Sequence, residues 1–335
     1  MPQPSNTRRF RARMPETRTA SSAPTRRRTD LALVVLAVIW GVNFSVIKFA
    51  LEEFDPLAFN AIRFVLASLT LFAFLRLNGS IPFPARKHWG RIVFLGLLAN
   101  VVYQLLFIYG VDRTLAGNAG LVLATTPVWT LILAALYGLE HHGFRVWAGV
   151  MATLGGMVLV VLGGESGGVG LGGGLLQGDL MLVLAAITWA AYTVGTQELT
   201  REYGALAVTS WTLWVGTVAL FTLGSPSLRA LDWGAISPGG WLGVVYSGVL
   251  AIAVAYLIWN HGLEHIGGPR TAAYSNLVPV VALVTAALWL GEAPGPTQVV
   301  GAIVIIAGVW IARGSIRPNP SRAGADGGPP EIRTR

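Results

Sequence analysis

The sequence predicts an all-α integral membrane fold, ten transmembrane helices arranged as two inverted five-helix repeats. Three observations predict it. One hydrophobic skeleton occurs twice in the chain, charged residues are scarce, and the apolar runs have the length of membrane spans.

The duplication is the strongest of the three. From Pro127 to Gly156, and again from Pro279 to Gly308, the chain reads Pro-x12-Glu-x8-Gly-x6-Gly at a constant offset of 152 residues. The same offset pairs Val128 with Val280, Leu131 with Leu283, Gly96 with Gly248 and Gly110 with Gly262. Upstream, at offset 149, Asp30, Leu31, Ala37 and Trp40 recur as Asp179, Leu180, Ala186 and Trp189. In membranes, duplicated hydrophobic halves are above all a property of carriers.

Composition agrees. Hydrophobic residues make up 53% of the chain and charged residues 12%, against roughly 25% charged in soluble domains. A soluble protein of 335 residues has no interior large enough to hide that apolar surface, whereas a bilayer accepts it. Cysteine is absent, which excludes disulfides and cysteine-ligated metal sites. No cofactor and no metal site is expected.

Apolar runs of about 20 residues mark the spans: 31–51, 56–76, 91–111, 115–138, 145–163, 179–198, 205–223, 240–260, 271–290 and 296–313. These runs are too long and too continuous for barrel strands, so they are helices. The segment 224–239 opens with Gly224, Ser225 and Pro226 and closes with Pro238 and Gly239, and reads as a loop. Five domains follow. Residues 1–30 form a disordered basic cytoplasmic tail, 31–163 the first repeat, 164–178 a Gly-rich linker, 179–314 the second repeat, and 315–335 a second disordered cytoplasmic tail.

Orientation follows from Lys and Arg. With the N-terminus inside, only Arg113 and Arg229 of the 24 basic side chains fall in outer loops, and only Lys48 and Arg63 lie within spans. Both termini are therefore expected in the cytoplasm, in an inner membrane crossed many times. An odd number of spans per half turns the second repeat upside down relative to the first. Inverted repeats make inward- and outward-open states near mirror images, a physical route to alternating access. The formal charge of +8 sits in the tails, where it meets anionic lipid rather than nucleic acid.

Polar and aromatic residues deep in a bilayer are costly unless they face protein or a cavity. Trp40 and Asn43 lie near the midpoint of the first span. The third span places Asn100, Tyr103, Gln104 and Phe107 on one face, and the sixth repeats that spacing with Trp189, Tyr192, Thr193 and Thr196. Tyr256, Trp259 and Asn260 follow it in the eighth. Thr125 and Thr126 in the fourth span and Ser275 and Asn276 in the ninth complete the expected lining. Apolar walls with a few convergent hydrogen-bonding groups suit a small-molecule solute. The competing interpretation makes the aromatics interfacial belts and the amides interhelical glue. It fits Trp259 and Asn260, which lie near a span end, better than Trp40 or Trp189.

Pro127 and Pro279 each free a backbone carbonyl one turn earlier, and are expected to act as hinges or as static kinks. Gly155, Gly156, Gly301 and Gly308 are expected to let helices pack closely. Arg63, about seven residues past Pro56, has Glu52, Glu53 and Asp55 just above it. It is expected to pair with them, or else to attract a solute carboxylate. Asp112, Glu140, Glu264 and Glu292 lie at helix ends, so the span midpoints lack an obvious proton carrier. No Walker motif occurs either. Facilitated diffusion and proton antiport both remain open, and the apolar surface has room for a homodimer contact.

Taken together, Trp40-Gly41-x-Asn43-Phe44, Arg63-Phe64, Thr126-Pro127-Val128 through Glu140, Gly178-Asp179 through Trp189-Ala190, Leu277-x-Pro279-Val280 through Gly291-Glu292, and Gly301 through Gly308 carry a resemblance. The chain resembles an EamA-type member of the drug/metabolite transporter superfamily over about residues 30–314. That resemblance implies ten-helix carriers of two inverted repeats that export small metabolites, often amino acids. One departure is visible: Gly138 is displaced, so the Gly291-Glu292 pair has no counterpart at Leu139-Glu140. The superfamily also includes nucleotide-sugar and triose-phosphate carriers, but phosphate ligands call for several deep basic residues, and only Lys48 and Arg63 lie within spans. A membrane enzyme lacks a convergent catalytic set here. A lipid scramblase has no need of matched mid-span tryptophans.

Overall fold

The computed structural model describes residues 23–79, 81–138, 143–163 and 174–314. Most of both tails, residues 164–173 of the linker, and Glu140 lie outside the described residues. All regular structure among the described residues is helical. Nine stretches of it are long and apolar enough to cross a membrane, and Pro296–Ala312 is a shorter apolar helix.

The first two spans are the long helices α1 (Ala23–Ala50) and α2 (Pro56–Asn78). Asp55 starts α2: its carboxylate accepts from Leu57 N and Ala58 N at 2.9 and 3.2 Å, and Pro56 supplies the first helical φ without needing an N–H partner. The third span is α3 (Trp89–Leu97), a π-helical stretch at Leu98–Val102, and α4 (Tyr103–Arg113). Its end is held by Lys48 of α1, whose Nζ donates to the carbonyls of Val111, Asp112 and Thr114. A cation there meets the negative end of the helix dipole.

The fourth span is broken. Helix α5 (Ala116–Leu123) stops, and α6 (Thr126–Leu136) begins one step later with Pro127 in its first turn. Pro127 cannot donate to the Leu123 carbonyl, so the Thr126 hydroxyl takes that acceptor at 2.7 Å. The ninth span breaks at the matching place. There α13 (Gly268–Tyr274) passes through a tight turn at Ser275–Leu277 into α14 (Val278–Trp289), and the Ser275 carbonyl freed by Pro279 is taken by Val278 N–H. The intervening spans are α7 (Phe144–Leu162), α8 (Gly174–Gly195) with the short α9 (Gln197–Tyr203), and α10 (Ala205–Ala230). The eighth span is α11 (Pro238–Val245), a second π-helical stretch at Tyr246–Val254, and α12 (Ala255–His265); α15 (Pro296–Gly314) is the last helix among the described residues.

Two sequence expectations need correction. The segment 224–239 is not all loop, because α10 continues to Ala230 with Pro226 inside it. The carbonyl that Pro226 leaves without a donor, that of Thr222, accepts from the Ser225 hydroxyl at 2.9 Å, which removes most of the penalty for a proline there. Gly155 is also not at a helix contact: a Cβ there would meet nothing within 4 Å. Its neighbours do pack. A Cβ on Gly156 would lie 2.8 Å from the Gly301 carbonyl oxygen, and one on Gly308 would lie 2.8 Å from that of Gly149, so α7 and α15 touch backbone to backbone.

The displaced Gly138 keeps its role despite the shift. Gly138 and Gly291 both adopt left-handed φ, +67° and +69°, just past the ends of α6 and α14. Each ends its helix as a glycine at that position does.

Candidate functional site

The site grows from the irregular third and eighth spans. A π-helical stretch widens a helix and leaves a carbonyl without its usual partner. On the eighth span Ala251 lies within such a stretch, and the Trp40 indole Nε1 donates to its carbonyl at 3.0 Å. The Tyr246 hydroxyl donates in return to the Ile39 carbonyl at 3.1 Å. Trp40 is thus fixed against the π stretch, and its ring lies 5.5 Å from that of Trp259.

On the third span, just past the π stretch, Tyr103 and Phe107 lie one turn apart in α4 and stack, centroids 5.7 Å apart with an interplanar angle of 16°. Trp189 of α8 meets Tyr103 at 5.0 Å, and Tyr192 follows Trp189 at 5.3 Å. This continuous aromatic face joins two spans that sequence spacing had identified separately. Trp189 and Tyr103 are half-buried.

The other expected site residues fall into distinct groups. Asn43 is buried, and its Oδ1 has no hydrogen-bond partner, as is also true of Ser45 Oγ and Asn260 Oδ1. Asn100 donates from Nδ2 to the Gly96 and Thr212 carbonyls at 3.2 and 2.9 Å, tying the π stretch to α10. The Tyr192 hydroxyl is paired with Thr212 Oγ1 at 3.0 Å inside an apolar cluster with Ile92, Leu95 and Val208. Tyr256 packs against Phe64 and Ile252, Asn276 lies half-buried at the break before α14, and Thr126 is spent on capping. Thr193 is exposed, and its hydroxyl is bonded to the Trp189 carbonyl one turn earlier in the same helix at 2.8 Å.

Arg63 is the largest revision. It is 1% exposed, and none of the described carboxylates lies within ion-pair distance of it. Its Nε donates to Asn60 Oδ1 at 2.8 Å, Nη1 to Ser247 Oγ at 3.0 Å and Nη2 to Gln104 Oε1 at 2.6 Å. The rings of Phe59, Phe64 and Phe107 lie 5.4, 5.6 and 5.5 Å from its guanidinium carbon. Two of the three expected partners are engaged elsewhere. Glu53 accepts from Ser237 N and Oγ, both at 2.7 Å, and Asp55 caps α2. Asn60, three residues before Arg63, could have been found from helical spacing; Ser247, 184 residues away, could not.

A second buried network was not among the site residues that sequence reasoning singled out. Asp179, in the second turn of α8, is fully buried and accepts from Thr114 Oγ1 at 2.5 Å and Asn118 Nδ2 at 3.4 Å. Asn118 Oδ1 in turn accepts from Gln298 Nε2 at 2.7 Å. Its only sequence signal was the repeat partner Asp30. Among the described residues, no group of His, Cys, Asp and Glu is placed to hold a metal ion.

Such an arrangement can bind and release a solute by stacking, hydrogen bonding and charge; no nucleophile with an adjacent base lies within it. The comparisons point the same way. The chain matches the EamA-like transporter family over residues 27–162 and 176–314. A probable terminal-alkyne amino-acid exporter of Streptantibioticus cattleyicolor is 30% identical, the match covering 84% of this chain and 91% of that one. A probable amino-acid metabolite efflux pump of Salmonella typhimurium is 29% identical over 84% of this chain and 93% of that one. An uncharacterized transporter of Bacillus subtilis, YdfC, is 27% identical over 81% and 86%. A solved crystal structure shares the fold at a TM-score of 0.60 and 19% identity, covering 85% of this chain and 96% of that one. The protein is a membrane transporter. It belongs to the EamA-like transporter family.

Proposed function

We propose that this transporter exports amino acids or closely related small metabolites across the inner membrane by alternating access. The observation that carries the reading is the aromatic face of Tyr103, Phe107 and Trp189, set beside polar groups at mid-span and flanked by two matched helix breaks. In this reading ten spans form two inverted repeats, 31–163 and 179–314, joined by 164–178, with both termini cytoplasmic. Pro127 and Pro279 are the hinges, since each sits where a span is already divided and a change in angle disturbs few hydrogen bonds. Trp40, Asn43, Tyr103, Trp189 and Tyr256 line the path, and Asn100, Gln104 and Tyr192 hold its walls. The names of the exporter and the efflux pump support amino-acid solutes.

Counterflow in proteoliposomes tests this directly. Vesicles preloaded with a pool of unlabelled amino acids are offered each labelled one at matched pH and zero potential. Labelled uptake above protein-free vesicles is the expected result, and it names the solute. Silence across the panel from correctly inserted protein would refute amino-acid export.

A further inference from the structure

The third and eighth spans enclose a cation that has no counter-ion among the described residues. Arg63 is buried between α2, the π-adjacent turn at Gln104 and the eighth span at Ser247, and all three of its hydrogen-bond acceptors are neutral. Holding an unpaired ion out of water is steeply unfavourable, and in native proteins such ions pair with an opposite charge. A guanidinium has five N–H groups. Three are engaged here, so one on Nη1 and one on Nη2 are left for another acceptor.

We propose that Arg63 is the anchor for the carboxylate of the transported solute, the protein supplying the cation and the cargo the anion. The proposal rests on the transport reading above and narrows its substrate class. A carboxylate presents two oxygens in one plane and matches the guanidinium fork better than any neutral group. The bonds to Asn60, Gln104 and Ser247 already fix the guanidinium, so little side-chain freedom is lost when the solute binds. The ring of Phe107 links the two halves of the site. It lies 5.5 Å from the guanidinium carbon on one side and stacks on Tyr103 on the other. Tyr103 then meets Trp189. A solute with its carboxylate at Arg63 therefore lays its apolar part on the Tyr103–Trp189 face. The assigned class is a small monocarboxylate with an apolar or aromatic side group.

The test uses a pair of probes differing only in that group, 3-phenylpropionate and 3-phenylpropanamide, titrated calorimetrically into the purified full chain. Losing one charge-assisted bond corresponds to about tenfold in affinity or more. Wild type is expected to prefer the carboxylate by at least that factor, and Arg63→Gln to bring the ratio to about one. Arg63→Lys, which keeps the charge without the fork, is expected to fall between. Size-exclusion profiles check that each variant is folded, and should Arg63→Gln fail to fold, the wild-type ratio and Arg63→Lys decide the matter. Equal binding of the two probes by wild type, no carboxylate binding at all, or a ratio unchanged in Arg63→Gln would each overturn the assignment. Counterflow of amino acids could still succeed then, leaving the transport reading intact. Carboxylate preference with a silent counterflow panel would instead keep the anion site and remove amino acids as the cargo.

Discussion

Glu292, just past the end of α14, caps a helix far from it in sequence: its Oε1 accepts the Ala116 N–H at 2.9 Å, and its Oε2 the Gly117 N–H at 3.1 Å. Helix α5 has no side-chain cap of its own, since Leu115 stands at the capping position. Glu292→Ala is expected to cost about 1 kcal/mol, the usual worth of an N-terminal cap. Glu292→Gln should recover part of this, because its amide oxygen still accepts. Thermal unfolding of the detergent-solubilised protein reads the difference, and an unchanged midpoint in Glu292→Ala would dismiss the cap.

The aromatic face yields a functional contrast. Trp189→Ala and Tyr103→Ala are each expected to lower counterflow by about tenfold, the loss expected on removing a central aromatic anchor. Inserted, folded yield should not fall. Thr193→Ala, whose wild-type hydroxyl is bonded within its own helix to the Trp189 carbonyl, is expected to transport normally. Normal transport in both aromatic variants would remove the proposed path.

Two adjacent glycines on α7 separate packing from sequence. Gly156→Ala places a methyl 2.8 Å from the Gly301 carbonyl oxygen, an overpacking worth about 1–3 kcal/mol. At Gly155 the same methyl meets nothing within 4 Å, and the gain in helix propensity is about 1 kcal/mol. The thermal midpoints of the two variants should move in opposite directions.

Acid should loosen one loop contact in a defined window. The hydroxyl and N–H of Ser237 hold the Glu53 carboxyl below its ordinary pKa. A depressed carboxyl contributes stability above its unfolded pKa of about 4.3 and loses it as pH falls through the folded value. The midpoint of wild type relative to Glu53→Gln is therefore expected to stay constant above pH of about 5 and to shrink below about 4. A difference that is flat through the acid range would exclude Glu53 as its source.

Much of the fold could be read from the chain. Hydrophobic length marked the spans, the repeated skeleton marked the corresponding places, and Pro127 and Pro279 marked where two of them break. The end of α10 was misplaced because a Gly-Ser-Pro run usually signals a loop, while here the Ser225 hydroxyl repairs what Pro226 removes. Of the site, helical spacing brought out Tyr103, Phe107, Trp189 and Tyr192, whose rings do meet. It also brought out Thr193, which is exposed and bonded within its own helix.

What the sequence by itself determined are the quantities that depend on one segment at a time: which runs are apolar enough for a bilayer, where a proline frees a carbonyl, and which residues share a helix face. The tertiary structure alone decided which faces meet, and so what each polar group is bonded to. Asp179 found Thr114 and Asn118, Trp40 found the carbonyl at Ala251, and Glu53 was taken by Ser237, leaving Arg63 to Asn60, Gln104 and Ser247. The physical reason is one of range. Burial of apolar surface acts on every residue of a span, whereas a hydrogen bond acts only within about 3 Å. Most partners that close are chosen by packing between helices far apart in the chain, from 41 residues for Arg63 and Gln104 to 211 for Trp40 and Ala251.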